Sequence, residues 1–285
     1  MTPRTGSLLV FAAAVGWSTA GLFARAIPAD VATVVFWRGL FGAGGLMVLI
    51  LYLQGWPGLA AFARLGRAGW GYAAVSAASM FCFIGALKNT SIAHVSIIYA
   101  TVPFAAAGMG FLFLREKPSR AAMLASAVAL AGAVLMVGFS GDGHWTGDLL
   151  AVGMVLGGAG MIVIARANPD MPTLAAAAMS AILATLLSLP LATLTGISLP
   201  MLGLLAAFGI INTTMALALF IIGSRHLPAV RTALLSALET PMTPLWVWLM
   251  FAETPSVATL AGGTVVFAAV VWYVAHDARQ PAMPL

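Results

Sequence analysis

Eight acidic and thirteen basic side chains serve 285 residues, so an ionisable group inside an apolar run stands out. Glu239 sits midway along such a run. Thr232, Ser236, Glu239 and Thr243 follow the spacing i, i+4, i+7, i+11, which places them on one helical face. A polar stripe on an otherwise apolar helix suits the wall of an internal cavity. A carboxyl there can bind the amine of a small molecule or pass on a proton. Equally, it can stitch helices together, or satisfy backbone groups freed by Pro241 and Pro244. Arg38, in Phe36-Trp37-Arg38-Gly39, offers a planar fork that fits a carboxylate. The simpler and favoured reading is that it snorkels to the interface or pairs with Asp30. His94 and Lys88 flank one junction between apolar runs. An imidazole titrates near neutral pH and can serve a gate, although a wetted loop is the favoured reading.

Uncharged polar residues add to this pattern. Tyr72, Ser76, Ser79 and Phe83 share a face, as do Ser96, Tyr99 and Pro103; Trp17-Ser18-Thr19 and Asn212-Thr213-Thr214 interrupt two further apolar runs. One serine or threonine alone more often bonds back to its own helix. Together they offer a mixed aromatic and hydrogen-bonding lining suited to small amphipathic molecules. The expected binding residues are therefore Trp17, Ser18, Ser76, Ser79, Ser96, Tyr99, Asn212, Ser236 and Glu239. Glu239, Arg38 and His94 are the candidates for coupling or gating.

Catalytic, metal and cofactor sets are not expected. Cys82 is the single cysteine and lies in an apolar run, where it reads as packing. No Gly-x-x-x-x-Gly-Lys-Ser/Thr or His-Glu-x-x-His string occurs, and Gly138-Phe139-Ser140-Gly141 fails the Gly-x-Ser-x-Gly pattern. An intramembrane enzyme or a non-transporting membrane scaffold remains the alternative reading. The scaffold predicts no continuous polar cavity.

The elements that must position these groups follow from composition. Hydrophobic residues make up 62% of the chain and charged residues 7%, with a mean hydropathy of +1.04. A soluble domain carries roughly a quarter charged residues to wet its surface. All of this chain belongs to a bilayer. A helix crossing the hydrocarbon needs about 20 apolar residues, and runs of that kind fall at roughly 7–25, 31–53, 69–87, 92–114, 120–140, 148–165, 172–194, 200–222, 228–250 and 256–275. The first resembles a secretory signal, with Arg4 ahead of it and Ala24-Arg25-Ala26 after it. It exceeds the usual apolar length of such signals and reads as a span. Ten helices result, in an all-α integral membrane protein.

Charge fixes their expected direction. With the N-terminus in the cytoplasm, ten of the thirteen basic residues lie inside, Arg25 and Lys88 lie outside, and Arg38 lies in the membrane. This bias is the positive-inside rule, and it places both termini in the cytoplasm of a cytoplasmic (inner) membrane. The basic residues are too dispersed for nucleic acid. Trp56, Trp70, Trp145 and Trp272 fall near span ends, as interfacial anchors do.

The chain also repeats itself. Glu116-Lys117-Pro118-Ser119 recurs as Glu253-Thr254-Pro255-Ser256, 137 positions on, and Ala24-Arg25-Ala26-Ile27-Pro28 as Ala165-Arg166-Ala167-Asn168-Pro169, 141 positions on. Two copies of a five-helix unit must enter the membrane from opposite sides, because five is odd. Such inverted repeats are the architecture of alternating-access carriers, and Pro103 and Pro241, in corresponding helices, point to the transport site. The expected boundaries are a first repeat over 7–140, a second over 146–275 and a cytoplasmic tail over 276–285.

Ala86-Leu87, Val102-Pro103 and Leu114-Arg115-Glu116, followed by Glu239-Thr240-Pro241 and Ala252-Glu253, resemble the EamA family of the drug/metabolite transporter superfamily. The resemblance covers residues 7 to 275. It implies ten helices around a central cavity, with helices five and ten peripheral. It further implies export of amino acids or related small metabolites, the aromatic amino-acid exporters being one such type. The expected partners are that small-molecule cargo and the lipid bilayer, with a monomer the simplest assembly and the oligomeric state left open. The family commonly carries glycine before the loop glutamate, where this chain has Arg115 and Ala252, and Thr240 splits its Glu-Pro pair.

Overall fold

In the computed structural model, residues 3–137, 144–252 and 256–277 are described. Gly138-Phe139-Ser140-Gly141, Asp142-Gly143, Glu253-Thr254-Pro255 and the tail from 278 onward fall outside the described residues. Among the described residues the regular structure is wholly helical. Eight helices are long and apolar enough to cross the hydrocarbon unaided. They are helix one (Pro3–Ala26), helix two (Val31–Gln54), helix three (Gly66–Asn89), helix four (His94–Leu114), helix six (Trp145–Ala167), helix seven (Thr173–Leu191), helix eight (Leu199–Ser224) and helix ten (Val257–His276). Helix five (Arg120–Val137) is shorter, and helix nine runs in two pieces, Ala229–Ser236 and Glu239–Phe251. Together these supply the ten helices that the apolar runs predict.

The packing reveals how the two copies interlock. Helix two lies on helix seven, helix four on helix nine and helix five on helix ten, each helix against its own counterpart. Helix one packs on helix eight while helix three packs on helix six, a pair of contacts that exchange when the halves are exchanged. Without a hydrophobic force between helices in lipid, small residues at the crossings let backbones approach. At the five–ten crossing a Cβ on Gly132 would come within 2.8 Å of the Gly262 carbonyl oxygen. At the three–six crossing a Cβ on Gly157 would meet Ser79 at 2.6 Å. Leu8, Val48, Leu112, Leu149 and Leu249 point outward on the bilayer-facing surface, as do Trp56 and Trp145 at span ends.

Two irregularities recur at the 137-residue offset. Helix four breaks at Ala100-Thr101 and helix nine at Ala237-Leu238. Each break lies just ahead of a proline, which lacks the N–H that would bond the carbonyl four residues earlier. Pro241 leaves the Ala237 carbonyl to be taken by Thr240 N at 3.1 Å, a tighter turn. The stripe Thr232-Ser236-Glu239-Thr243 is therefore not one continuous helical face. Thr232 is buried and bonded to the Pro228 carbonyl. The second irregularity explains the glycine departures. Arg115 (φ 57°) and Ala252 (φ 55°), the non-glycine residues with positive φ among those described, end helices four and nine in the left-handed conformation. Glycine adopts it freely; a Cβ there costs about 1 kcal/mol.

Candidate functional site

Helices one, two, three, four, six, eight and nine enclose a cavity of about 120 Å³. One water needs roughly 10–15 Å³ on the same measure, so there is room for a compact metabolite. Residues from helices five, seven and ten are not among its lining residues. An annex of about 30 Å³ continues along the later turns of helices one and three and the first turns of helix four, past Gly21, Leu87, Ser96 and Thr243.

The irregular backbone described above sets the wall. Tyr99 precedes the break in helix four; Ser236 and Glu239 flank the break in helix nine; all three line the cavity. The Tyr99 hydroxyl hydrogen-bonds the Glu239 carboxyl, joining the two halves across their symmetric breaks. Ser236 returns its hydroxyl to the Thr232 carbonyl at 3.0 Å. In helix one the backbone is irregular at Thr19, whose hydroxyl donates to the Gly16 carbonyl at 2.6 Å. Trp17 lines the cavity, stacks obliquely on Phe220 at 4.9 Å and donates its indole N–H to the Asn212 carbonyl at 3.0 Å. Asn212 lies in a π-helical stretch, Gly209–Ala216. Its amide donates to the Gly16 carbonyl and to Thr19, both at 3.1 Å, leaving Oδ1 without a partner. Ser79 donates to the Met154 carbonyl at 3.3 Å, and Ser76 accepts from Ser180 at 2.8 Å. Glu239, Ser79 and Tyr99 thus face one space.

Three expectations need correction, at Ser18, Arg38 and His94. Ser18 is not among the lining residues of the cavity or its annex. Its hydroxyl donates to the Val15 carbonyl at 2.6 Å and accepts from the indole N–H of Trp246 at 2.7 Å, tying helix one to helix nine from behind. Arg38 neither snorkels nor pairs with Asp30. Asp30 caps helix two through Thr33, accepting from its N–H at 2.9 Å and its hydroxyl at 2.6 Å. Burial would raise the pKa of Asp30, but these hydrogen bonds outweigh it and hold the carboxyl below its ordinary value. Arg38 is buried, lines the cavity and rests over Phe208 at 4.5 Å and Phe83 at 5.6 Å. Its Nε and Nη1 have no hydrogen-bond partner. A charge at such depth costs roughly 2.5–3.5 kcal/mol even on lenient scales.

His94 stands apart from the cavity. It pairs with Asp148 of helix six at 3.2 Å, and Thr90 donates to the same carboxylate at 2.8 Å. This half-buried cluster, joining the two repeats, replaces the wetted loop that was expected. Lys88 donates to the carbonyls of Ala24 at 3.3 Å and Ile27 at 2.9 Å. At the opposite end Arg166 grips Glu116 through Nε at 2.7 Å and the Leu227 carbonyl at 2.5 Å. There Arg225 also donates to the Met171 carbonyl, and Arg231 to Ser7 at 3.0 Å. Arg166 and Glu116 were visible in sequence as topology and repeat marks, but not as partners.

Comparison with known proteins converges on one family. The model of the EamA-like transporter family matches residues 4–138 and 145–275. An uncharacterized transporter of Bacillus subtilis (strain 168), YwfM, is 28% identical over 258 residues, covering 83% of this chain and 82% of the relative. A solved crystal structure superposes with a TM-score of 0.73 at 19% identity, covering 97% of this chain and 99% of that one. It is a likeness of fold.

Proposed function

The chain belongs to the EamA-like transporter family, a multi-pass membrane transporter of small molecules, and we propose that it exports amino acids or related metabolites across the cytoplasmic membrane by alternating access. The observation that carries this reading is the Tyr99–Glu239 bond, which joins the two symmetric helix breaks at a cavity lined by aromatic, apolar and a few polar side chains. Rocking one repeat against the other would open that space to one side and then the other. Each chain encloses its own cavity, which suits a monomer. Interrupted helices free backbone polar groups where the cargo sits, and Glu239 supplies the carboxyl for an amine or a coupled proton. A scaffold has no use for such a cavity. The charge bias of the loops supports an orientation with both termini in the cytoplasm, which would set the annex toward the outer side.

The test is uptake into proteoliposomes with a panel of amino acids and nucleosides, with and without a pH gradient. Uptake of a panel member that Glu239→Gln abolishes supports the reading, whereas failure of every small metabolite removes it. Equal transport with and without the gradient, in wild type and Glu239→Gln alike, removes proton coupling.

A further inference from the structure

Among the described residues, Arg38 is a cation without an anion. A guanidinium keeps its charge at neutral pH and carries five donors in a fixed fork. In the membrane such a group is normally matched by a carboxylate. Here the acidic groups within reach by sequence or cavity are engaged elsewhere. Asp30 is spent on the cap of helix two, and Glu239 accepts from Tyr99. The described contacts of Arg38 are the faces of Phe83 and Phe208. Those rings hold the fork in position and leave Nε and Nη1 unpartnered on a residue 5% exposed that lines the cavity. Thr213, another residue of the cavity wall, also carries an unpartnered hydroxyl that can donate. Much of the remaining wall is apolar, from Met80 to Leu217 and Phe220.

From this arrangement we infer that the cavity selects its cargo by a carboxylate, received by Arg38, with the apolar body of the molecule against the methionine and aromatic wall. The inference rests on the carrier reading and names the substrate class of the same site. A charge-assisted hydrogen bond in a low-dielectric protein interior is stronger than its neutral counterpart. A fixed cation also repels cargo that is purely cationic, so the same residue selects for acids, amino acids included, and against amines that lack a carboxylate. Phosphate esters would meet the cation as well, but the apolar remainder of the wall favours a small anion on a hydrocarbon body.

The deciding experiment measures binding, in detergent, to the purified full-length protein by ligand-induced shifts in Tm and by competition. The probes are leucine and phenylalanine, each compared with its carboxamide, its deaminated acid and the neutral amide of that acid. The deaminated acids are expected to bind, and each carboxamide to bind about tenfold or more weakly than its acid. Arg38→Met should erase that preference and Arg38→Lys should keep part of it. Carboxamides binding as tightly as acids, no acid binding at all, or an unchanged preference in folded Arg38→Met would each overturn the inference. Should Arg38→Met fail to fold, the acid and carboxamide comparison on the wild type still decides. Binding of acids with no uptake of any compound removes the carrier reading and leaves the carboxylate site standing.

Discussion

The two five-helix repeats share their scaffold and differ in their chemistry. Both break the fourth helix at the same register, at Ala100-Thr101 and Ala237-Leu238, and both end it on a left-handed residue, Arg115 and Ala252. The charges that face the cavity are not duplicated. Arg38 comes from helix two of the first repeat and Glu239 from helix nine of the second. The first repeat's break presents Tyr99 and Val102 where the second presents Ser236 and Glu239, and among the described residues helix eight carries a π-helical stretch at the cavity where its counterpart, helix three, is regular. Duplication thus provides two matching halves that can move against each other. Divergence provides a site with distinct ends, which a cargo with distinct ends requires.

That contrast can be broken from either side. The largest effect is expected from the unduplicated charges: Arg38→Met and Glu239→Gln should each reduce uptake in proteoliposomes by about a hundredfold, or about 2.7 kcal/mol. Thermal unfolding should show both variants folded. A scaffold position where two duplicated helices cross should behave oppositely. Gly262→Val drives a side chain into the Gly132 carbonyl and the Met136 backbone, and should destabilise the five–ten crossing by about 1–3 kcal/mol without altering cargo preference. Next in size is the tie between repeats at the end of the molecule opposite His94, where Arg166 grips Glu116. Arg166→Gln should cost about 1 kcal/mol and Glu116→Gln should add little on top, read from a double-mutant cycle of Tm values. The smallest effect sharpens the symmetry itself. Arg115→Gly and Ala252→Gly relieve the same left-handed strain, and each should stabilise by about 0.5 kcal/mol, equal in the two repeats.

Much of the scaffold was legible because it rests on apolar length, on proline and on repetition. Hydrophobic runs gave the ten crossings, and the 137-residue offset between Glu116 and Glu253 located the second copy before any contact was known. Side-chain direction was harder to read. Periodicity identifies an inward face only when the other face is polar, and these helices are apolar all round, so Ser18 could not be told from Trp17 beside it. Arg38 was misplaced because its surroundings are two phenylalanines brought in from helices three and eight, neither near it in sequence. The break in helix nine falls at Ala237-Leu238 and not at Pro241, since a missing N–H is felt four residues upstream. For the same reason the polar stripe that drew attention to Glu239 was only partly continuous, although Ser236, Glu239 and Thr243 all reach the cavity or its annex.

Alternating access requires one cavity that serves both sides of the membrane, and accessibility tests that directly. Ser236→Cys, in a Cys82→Ser background, places a thiol on the cavity wall, and sealed vesicles of each orientation can be exposed to a membrane-impermeant thiol reagent. Labelling from either side, slowed in both cases by a transported compound, is the result predicted. Labelling from one side alone, or labelling indifferent to that compound, would contradict it.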